Sequence, residues 1–392
     1  MISYEEFASH NGLNTRMKGI ARALSARGRR VEIAAPIYNG QMPAVPLELN
    51  GMHVHSVPLP RLFSKWRVPI LSRVLSVLAL TIYMARYFRA SPDRFRWIQA
   101  EQVYPFIAAY LVARKWKAGL ILDDPSLLGL FVEEKLKHRR ILRPLLKRAV
   151  EHFETALWKR ADYILCSSQR TAGRIAERVN GAKARVVRLC NGVNLDEFTA
   201  TNDPGPGNTL FFNSSVPYYQ NMATLRNLLK IIGQFEKEQF HNYSAVIAVN
   251  DATVLPPEMM NEIKSNPRVR LLSNEKSLVP WLHASDFVLL PYEKDHLTTA
   301  GPRLKAFEAF ACGKIVLGTR EGLDEIPGCI DGQNVIVCND WLDMARQTMG
   351  LIAEGDTPRK QSIRNEARRF VESEYSWQGL VKAYDPILNS EP

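Results

Sequence analysis

The chain has 392 residues, 46% of them hydrophobic and 23% charged, which excludes a disordered or fibrous chain and favours two domains over one core. Its net charge of +11 is uneven: up to residue 200 there are 32 Lys and Arg against 16 Asp and Glu, and beyond it 19 against 24. The basic half points to an acidic partner, either nucleic acid or an anionic membrane surface. Five cysteines, Cys166, Cys190, Cys312, Cys329 and Cys338, show no Cys-x-x-Cys spacing, which argues against structural zinc and for a reducing compartment.

In chain order, Met1–Tyr4 reads as the tail of a first strand, followed by a polar loop with Ser9-His10-Asn11-Gly12. No signal peptide is visible there, so the expectation is a cytoplasmic chain. A helix follows over Asn14–Arg27, with Leu13, Met17, Ile20, Ala21 and Leu24 along one face and Gly28 at its end. Val31–Ala35, Arg96–Ala100, Leu120–Leu122, Tyr163–Cys166 and Arg185–Leu189 read as strands, separated by helices such as Tyr104–Trp116 and Arg143–Arg160. The apolar run Val74–Ala85 is too short to span a bilayer, for which about 20 residues are needed. It is either a buried helix or an interfacial one. Cations and aromatics around it (Arg61, Lys65, Trp66, Arg67, Arg73, Arg86, Tyr87, Phe88 and Arg89) suit peripheral contact with the inner face of a membrane.

Asp203-Pro204-Gly205-Pro206-Gly207 is the strongest linker signal. Alternation then restarts with strands at Thr209–Asn213, Ser244–Val249, Arg268–Leu272, Asp286–Leu290, Lys314–Gly318 and Asn334–Cys338, and a helix around Ala223–Phe235. The pattern predicts an α/β protein of two doubly wound, Rossmann-like domains facing a central cleft. The expected boundaries are 1–193 for the first domain, 194–207 for the hinge and 208–375 for the second, with a terminal helix over 376–392 returning to the first.

The most informative stretch is Gly301-Pro302-Arg303-Leu304-Lys305-Ala306-Phe307-Glu308-Ala309-Phe310-Ala311-Cys312-Gly313. It predicts a short helix opened by Pro302 and closed by Gly313. Arg303 and Lys305 occupy a helix start, where cations are unfavourable and anions welcome. A bound diphosphate resolves that conflict. Lys305 and Glu308, three apart, share a face, so a cation for phosphate and a carboxylate for sugar hydroxyls suggest a nucleotide-sugar site. The alternative is a solvated first turn with Phe307, Phe310 and Ala311 facing the core.

Dinucleotide, P-loop, zinc-protease and serine-hydrolase motifs are absent, and the eight histidines are scattered. Asp123-Asp124-Pro125 is different, since two carboxylates end the apolar strand Leu120-Ile121-Leu122. Adjacent like charges there can raise one pKa toward that of a useful base. The alternative for this pair is an N-cap and its neighbour.

The segment Gly12–Gly28, the phrase Cys190-Asn191-Gly192-Val193-Asn194-Leu195-Asp196-Glu197-Phe198, and Ala284-Ser285-Asp286-Phe287-Val288-Leu289-Leu290-Pro291 leading to Lys305 and Glu308 resemble family-4 glycosyltransferases of the GT-B fold over nearly the whole chain. Trp377–Leu388 resembles the final helix that crosses back to the N-terminal domain in that fold. The resemblance implies that the second domain holds a UDP- or GDP-sugar and the basic first domain meets the acceptor. It implies that Gly12 approaches the donor phosphates, Lys305 binds the diphosphate and Glu308 holds the ribose; Arg303, two residues from Lys305 on the helix, is the further donor-site cation and points to another side. Asn213, Ser214 and Ser215 line the donor pocket, and Ser273–Lys276 lie near the base.

Two positions depart from many relatives: Ala300 replaces a second glutamate, and Val216-Pro217-Tyr218-Tyr219-Gln220-Asn221 stands where Arg and Lys are common. The departures resemble a divergent branch with membrane-associated glucuronosyltransferases of exopolysaccharide synthesis, in which an aspartate after an N-domain strand is the base. That implies Asp124 as catalytic residue, with Asp123 next in line. The reaction expected is hexosyl transfer to a hydroxyl of a lipid-linked or polysaccharide acceptor in cell-surface glycan synthesis, with no metal or other cofactor. A sugar-nucleotide epimerase of the same fold is the alternative enzyme. A basic nucleic-acid-binding protein is the alternative outside enzymes; no nucleic acid is expected as partner, because no reading motif is present.

Overall fold

The computed structural model describes residues 1–3, 12–37, 47–49, 52–58, 69–90, 95–123, 127–136, 138–139, 141–201, 207–216, 219–293 and 301–391. Two compact units result. One comprises Met1–Cys190, Thr299–Gly301 and Leu380–Pro392, and the other Asn191–Thr298 and Pro302–Gly379.

The first unit runs α1 (Gly12–Ala26), β1 (Val31–Ile37), β2 (Leu47–Leu49), β3 (Met52–Pro58), α2 (Pro69–Ala90), β4 (Trp97–Glu101), α3 (Val103–Trp116), β5 (Gly119–Asp123), α4 (Leu128–Lys135), α5 (Leu142–Trp158), β6 (Tyr163–Cys166), α6 (Gln169–Val179) and β7 (Arg185–Arg188). Strands β4 to β7 pair in parallel in chain order, and β1 pairs in parallel with β3. Ile2 bridges Ala34 of β1 and Ala100 of β4, both in parallel, and so joins the two groups. Strands β5 and β6 are buried along their whole length, as parallel strands covered on both faces must be. That is why they read as unbroken aliphatic runs. Met17, Ile20, Ala21 and Leu24 form the buried stripe of α1, and Gly28, at φ 76°, ends it in the left-handed region. The antiparallel β2–β3 pair was not expected. Its sequence signal is Asn50-Gly51 between the two strands.

The second unit runs β8 (Thr209–Ser214), α7 (Tyr219–Lys237), β9 (Ser244–Val249), α8 (Pro257–Ser265), β10 (Val269–Ser273), α9 (Val279–His283), β11 (Phe287–Leu290), α10 (Leu304–Ala311), β12 (Ile315–Thr319), β13 (Ile336–Cys338), α11 (Trp341–Ala353) and α12 (Pro358–Glu374). Its sheet is parallel throughout, in the order β10-β9-β8-β11-β12-β13. Phe212, Ile231, Phe235, Ile247, Phe287, Leu289 and Leu317 form its core.

Two expectations are corrected. Helix α10 starts at Leu304, not Pro302, because Arg303 is still extended at φ −71° and ψ 114°. The terminal helix is broken into α13 (Trp377–Leu380), a 3-10 turn at Val381–Tyr384 and α14 (Asp385–Asn389). Pro386 opens α14, where it has no N–H to continue the preceding turn. The run Val74–Ala85 lies inside the longer α2, with Val77 and Leu80 buried and Leu78 and Ile82 exposed. All five cysteines are free thiols.

Candidate active site

In the second unit, strand order reverses between β8 and β11, and ligands of open α/β sheets bind beyond the carboxyl ends of strands at such a point. Asn213 and Ser214 end β8, and Tyr292 lies two residues beyond β11. Helix α10 sends Lys305 back to that edge, where its Nζ donates to the carbonyl oxygen of Asn213 at 2.6 Å. The ammonium lies 5.7 Å from the ring centre of Phe212 and 5.6 Å from that of Tyr292. The guanidinium of Arg303 stacks 4.2 Å from the same Tyr292 ring. Cations over aromatic faces in a partly desolvated site hold their positions at a gain of about 1–2 kcal/mol each. Tyr292 is 4% exposed. Burial opposes ionisation of its phenol, but the charges of Lys305 and Arg303 outweigh it and keep the phenol below its ordinary value.

The hydroxyl of Ser214 is buried with no hydrogen-bond partner among the described residues. A buried polar atom left unpaired is unusual enough to signal a ligand or water. Beyond it, the amide of Asn221 donates to the Ser215 carbonyl at 2.6 Å, and the Val216 N–H donates to Asn250 Oδ1 at 2.6 Å. These bonds fix the loop that carries Ser214 and Ser215. Glu308 lies one turn along α10 from Lys305 and on the same face. Its carboxyl keeps some exposure, yet burial pushes it up to about 7, with Lys305 pulling down and Glu197 adding to the rise. Ser273 does not join this group. It ends β10, two strands from β8 and hence roughly 10 Å across the sheet, and its Oγ accepts the Ala252 N–H at 3.0 Å.

In the first unit, Asp123 is fully buried at the end of β5. Arg16, reaching from α1, holds it through Nη2 to Oδ1 at 2.9 Å and through Nε at 3.2 and 3.3 Å. Gln99 Nε2 donates to Oδ2 at 3.2 Å. Arg16 Nη1 also donates to the carbonyls of Leu189 and Cys190 at 2.9 and 3.1 Å, and Tyr384 OH donates to Gln99 Oε1 at 2.9 Å. One buried ion pair therefore ties α1, β4, β5, the end of β7 and the C-terminal segment together. Both oxygens of Asp123, the catalytic candidate after Asp124, accept hydrogen bonds from protein donors. Beside it, Gln102 has φ 69° and ψ 172°, a region otherwise kept for glycine. Its N–H donates to the Asp123 carbonyl at 3.1 Å, and its neighbour Glu101 accepts from Ser3 Oγ at 2.9 Å. Strain of this kind gathers at functional edges.

Sequence reasoning missed Arg16, Gln102 and Tyr292. Tyr292 had a signal, since it follows Pro291 at the end of an apolar strand; Arg16 and Gln102 had none, being ordinary polar residues in helical and strand-end contexts. Gly12 is the first residue of α1. Asp124, the loop Ser9–Asn11, His296, Ala300, Pro217, Tyr218, Asp203–Pro206 and Arg61–Arg67 lie outside the described residues. Among the described residues, no three His, Cys, Asp or Glu side chains gather as a metal site.

A cation, a buried hydroxyl and a carboxyl thus stand at the switch point of a Rossmann-like unit, the place where open α/β sheets bind ligands. The Glycosyl transferase 4-like domain family matches residues 11–192, and the Glycosyl transferases group 1 family matches residues 207–354. The chain belongs to the glycosyltransferases of GT-B fold, with one of these domains in each half. Among solved structures it is similar to sucrose-phosphate synthase from Thermosynechococcus elongatus, at a TM-score of 0.71 and 14% identity over 99% of this chain and 97% of that one. It is also similar to Anabaena HepE in complex with UDP and glucose, at a TM-score of 0.68 and 13% identity over 99% and 98%. WaaG, a glycosyltransferase involved in lipopolysaccharide biosynthesis, has a TM-score of 0.67 and 13% identity over 100% of both chains. A comparison with the curated proteins finds no match.

Proposed function

We propose that this glycosyltransferase moves a hexosyl group from a UDP-sugar, or a GDP-sugar as second choice, to a hydroxyl of a lipid-linked or polysaccharide acceptor in cell-surface glycan synthesis. The observation that carries the donor half is the group of Lys305, Arg303 and the unpaired Ser214 hydroxyl at the β8–β11 switch point. HepE solved with UDP-glucose supports the choice of UDP. Lys305 and the first turn of α10 stabilise the leaving diphosphate, doing by fixed charge what a divalent cation does elsewhere. Arg303 adds charge beside it, Asn213, Ser214 and Ser215 contact the donor, and Gly12 approaches its phosphates. Glu308 accepts hydrogen bonds from ribose hydroxyls. Asp124 takes the acceptor proton, and the basic first half faces an anionic membrane in which the acceptor is held. A thermal-shift series with UDP-, GDP- and ADP-sugars tests the donor, because a ligand that binds only the native state raises the midpoint. No shift with any of them would sink the reading, and turnover of the sugar nucleotide to an epimer without acceptor would replace it.

Two expected results follow at this site. Asp124→Asn should leave donor binding intact and lower transfer about a hundredfold or more, the usual weight of a general base; undiminished turnover would remove Asp124 from that role. For Glu308 the pH dependence has a definite sign. Burial favours the protonated carboxyl, so the native state takes up a proton that the unfolded chain releases between the ordinary carboxylate value and about 7. Its contribution to stability therefore falls as pH rises through that window and is level above it. Donor binding runs the other way, since the ionised form accepts the ribose hydroxyls. Affinity should rise by up to about tenfold per pH unit below 7 and then flatten. Glu308→Gln should bind weakly with a flat profile in calorimetric titration, and a mutant profile as steep as the wild type would reject the assignment.

A further inference from the structure

Helix α5 is amphipathic the wrong way round for a globular protein. Its exposed side carries Leu142, Leu145, Leu146 and Phe153, with Ile141 just before it exposed to 83%. Its inward side carries Arg143, Lys147, Glu151 and Glu154 before the buried Leu157 and Trp158 of the last turn. Two of these polar groups are engaged: Lys147 pairs with Glu133 at 2.6 Å, and Glu154 accepts the Leu128 N–H at 2.5 Å and lies 3.6 Å from Arg178. The apolar stripe at positions 142, 145, 146, 149 and 153 follows the helical period and is exposed along its length.

Helix α3 packs against both α2 and α5, and each neighbour repeats the theme. Leu78 and Ile82 are exposed on α2, and Leu111 is exposed on α3. Of the ten large exposed hydrophobic side chains among the described residues, eight fall on these three helices and the residue that caps α5. The exposed charges described on these helices and just before α5 are cations. Arg86, Arg114, Lys115, Arg139 and Arg148 are exposed, while the only carboxylates in the three helices are the inward Glu151 and Glu154. A face that offers apolar side chains among cations and no exposed carboxylate repels a second copy of itself and fits an anionic bilayer. No described helix is long and apolar enough to cross a membrane.

We propose that the outward face of α5, with its neighbours on α2 and α3, lies flat in the headgroup layer of an anionic membrane. Leu145, Leu146 and Phe153 enter the acyl boundary, and Arg139 and Arg148 meet lipid phosphates. The proposal rests on the membrane reading above only for its purpose, and it places docking on α5 in addition to the cationic, aromatic stretch around α2. The test is vesicle flotation of the full chain with phosphatidylglycerol-rich and pure phosphatidylcholine vesicles across a salt series. The wild type should float with the anionic vesicles and release as salt rises. Leu145→Glu/Leu146→Glu, both at exposed positions, should lower partitioning by about tenfold or more. Arg139→Glu/Arg148→Glu should weaken binding to the anionic vesicles and flatten the salt dependence.

UDP-sugar thermal shift on the same variants shows that they fold and separates this proposal from the donor assignment, since either can fail alone. Wild type that stays unbound at low salt, or Leu145→Glu/Leu146→Glu that floats like wild type, would overturn the proposal. So would a lipid-free dimer, seen by sedimentation, that the same variant dissolves, because the face would then be a self-interface.

Discussion

Asp123→Asn is expected to destabilise the first unit by about 3–5 kcal/mol, the range for removing one partner of a buried ion pair. Arg16 is 1% exposed, so loss of the carboxylate takes from a buried guanidinium the charged acceptor that its Nη2 and Nε donate to. Urea unfolding should show an early transition for the unit that holds β5. Replacing both partners by apolar residues, Arg16→Met with Asp123→Leu, should cost less than the single change, because both members of the buried pair are removed together. A different pattern, with normal unfolding and lost turnover in Asp123→Asn, would return Asp123 to the reaction and reject the structural role.

Lys305→Ala should lower transfer by about 10²–10³, the loss measured when one preorganised charge-stabilising donor is taken from a site. Nucleotide diphosphate affinity should fall with it, because the ammonium is the cation that reaches the β8 edge, at 2.6 Å from the Asn213 carbonyl. Lys305→Arg is not expected to restore full activity, since a planar fork replaces a point charge. Calorimetric titration with UDP separates the two contributions. Unchanged UDP affinity and turnover in a folded Lys305→Ala would remove Lys305 from the site.

Much of the second unit was readable from sequence because its central strands β8, β9, β11 and β12 are buried on both faces. Thr209–Asn213, Ser244–Val249 and Asp286–Leu290 stand out as aliphatic runs between turn formers, and the structure places strands there with shifts of one residue or less at each end. The shared helical face of Lys305 and Glu308 followed from a spacing of three. The start of α10 was less readable. Pro302 favours a helix start by local rule, but Arg303 stays extended with its guanidinium against Tyr292, a contact across ten residues of chain.

What the sequence determined alone is what depends on neighbours along the chain: strand and helix periods, the end of α1 at Gly28, and the cation and carboxylate on one face of α10. Only the tertiary structure decided that Arg16 holds Asp123, that Gln102 is strained, that Ser214 is buried without a partner among the described residues, and that α5 turns an apolar stripe outward. Each of these depends on groups brought together from distant parts of the chain, 107 residues apart for Arg16 and Asp123. Burial of a charge or exposure of a leucine is a property of that assembly, and no local pattern records it.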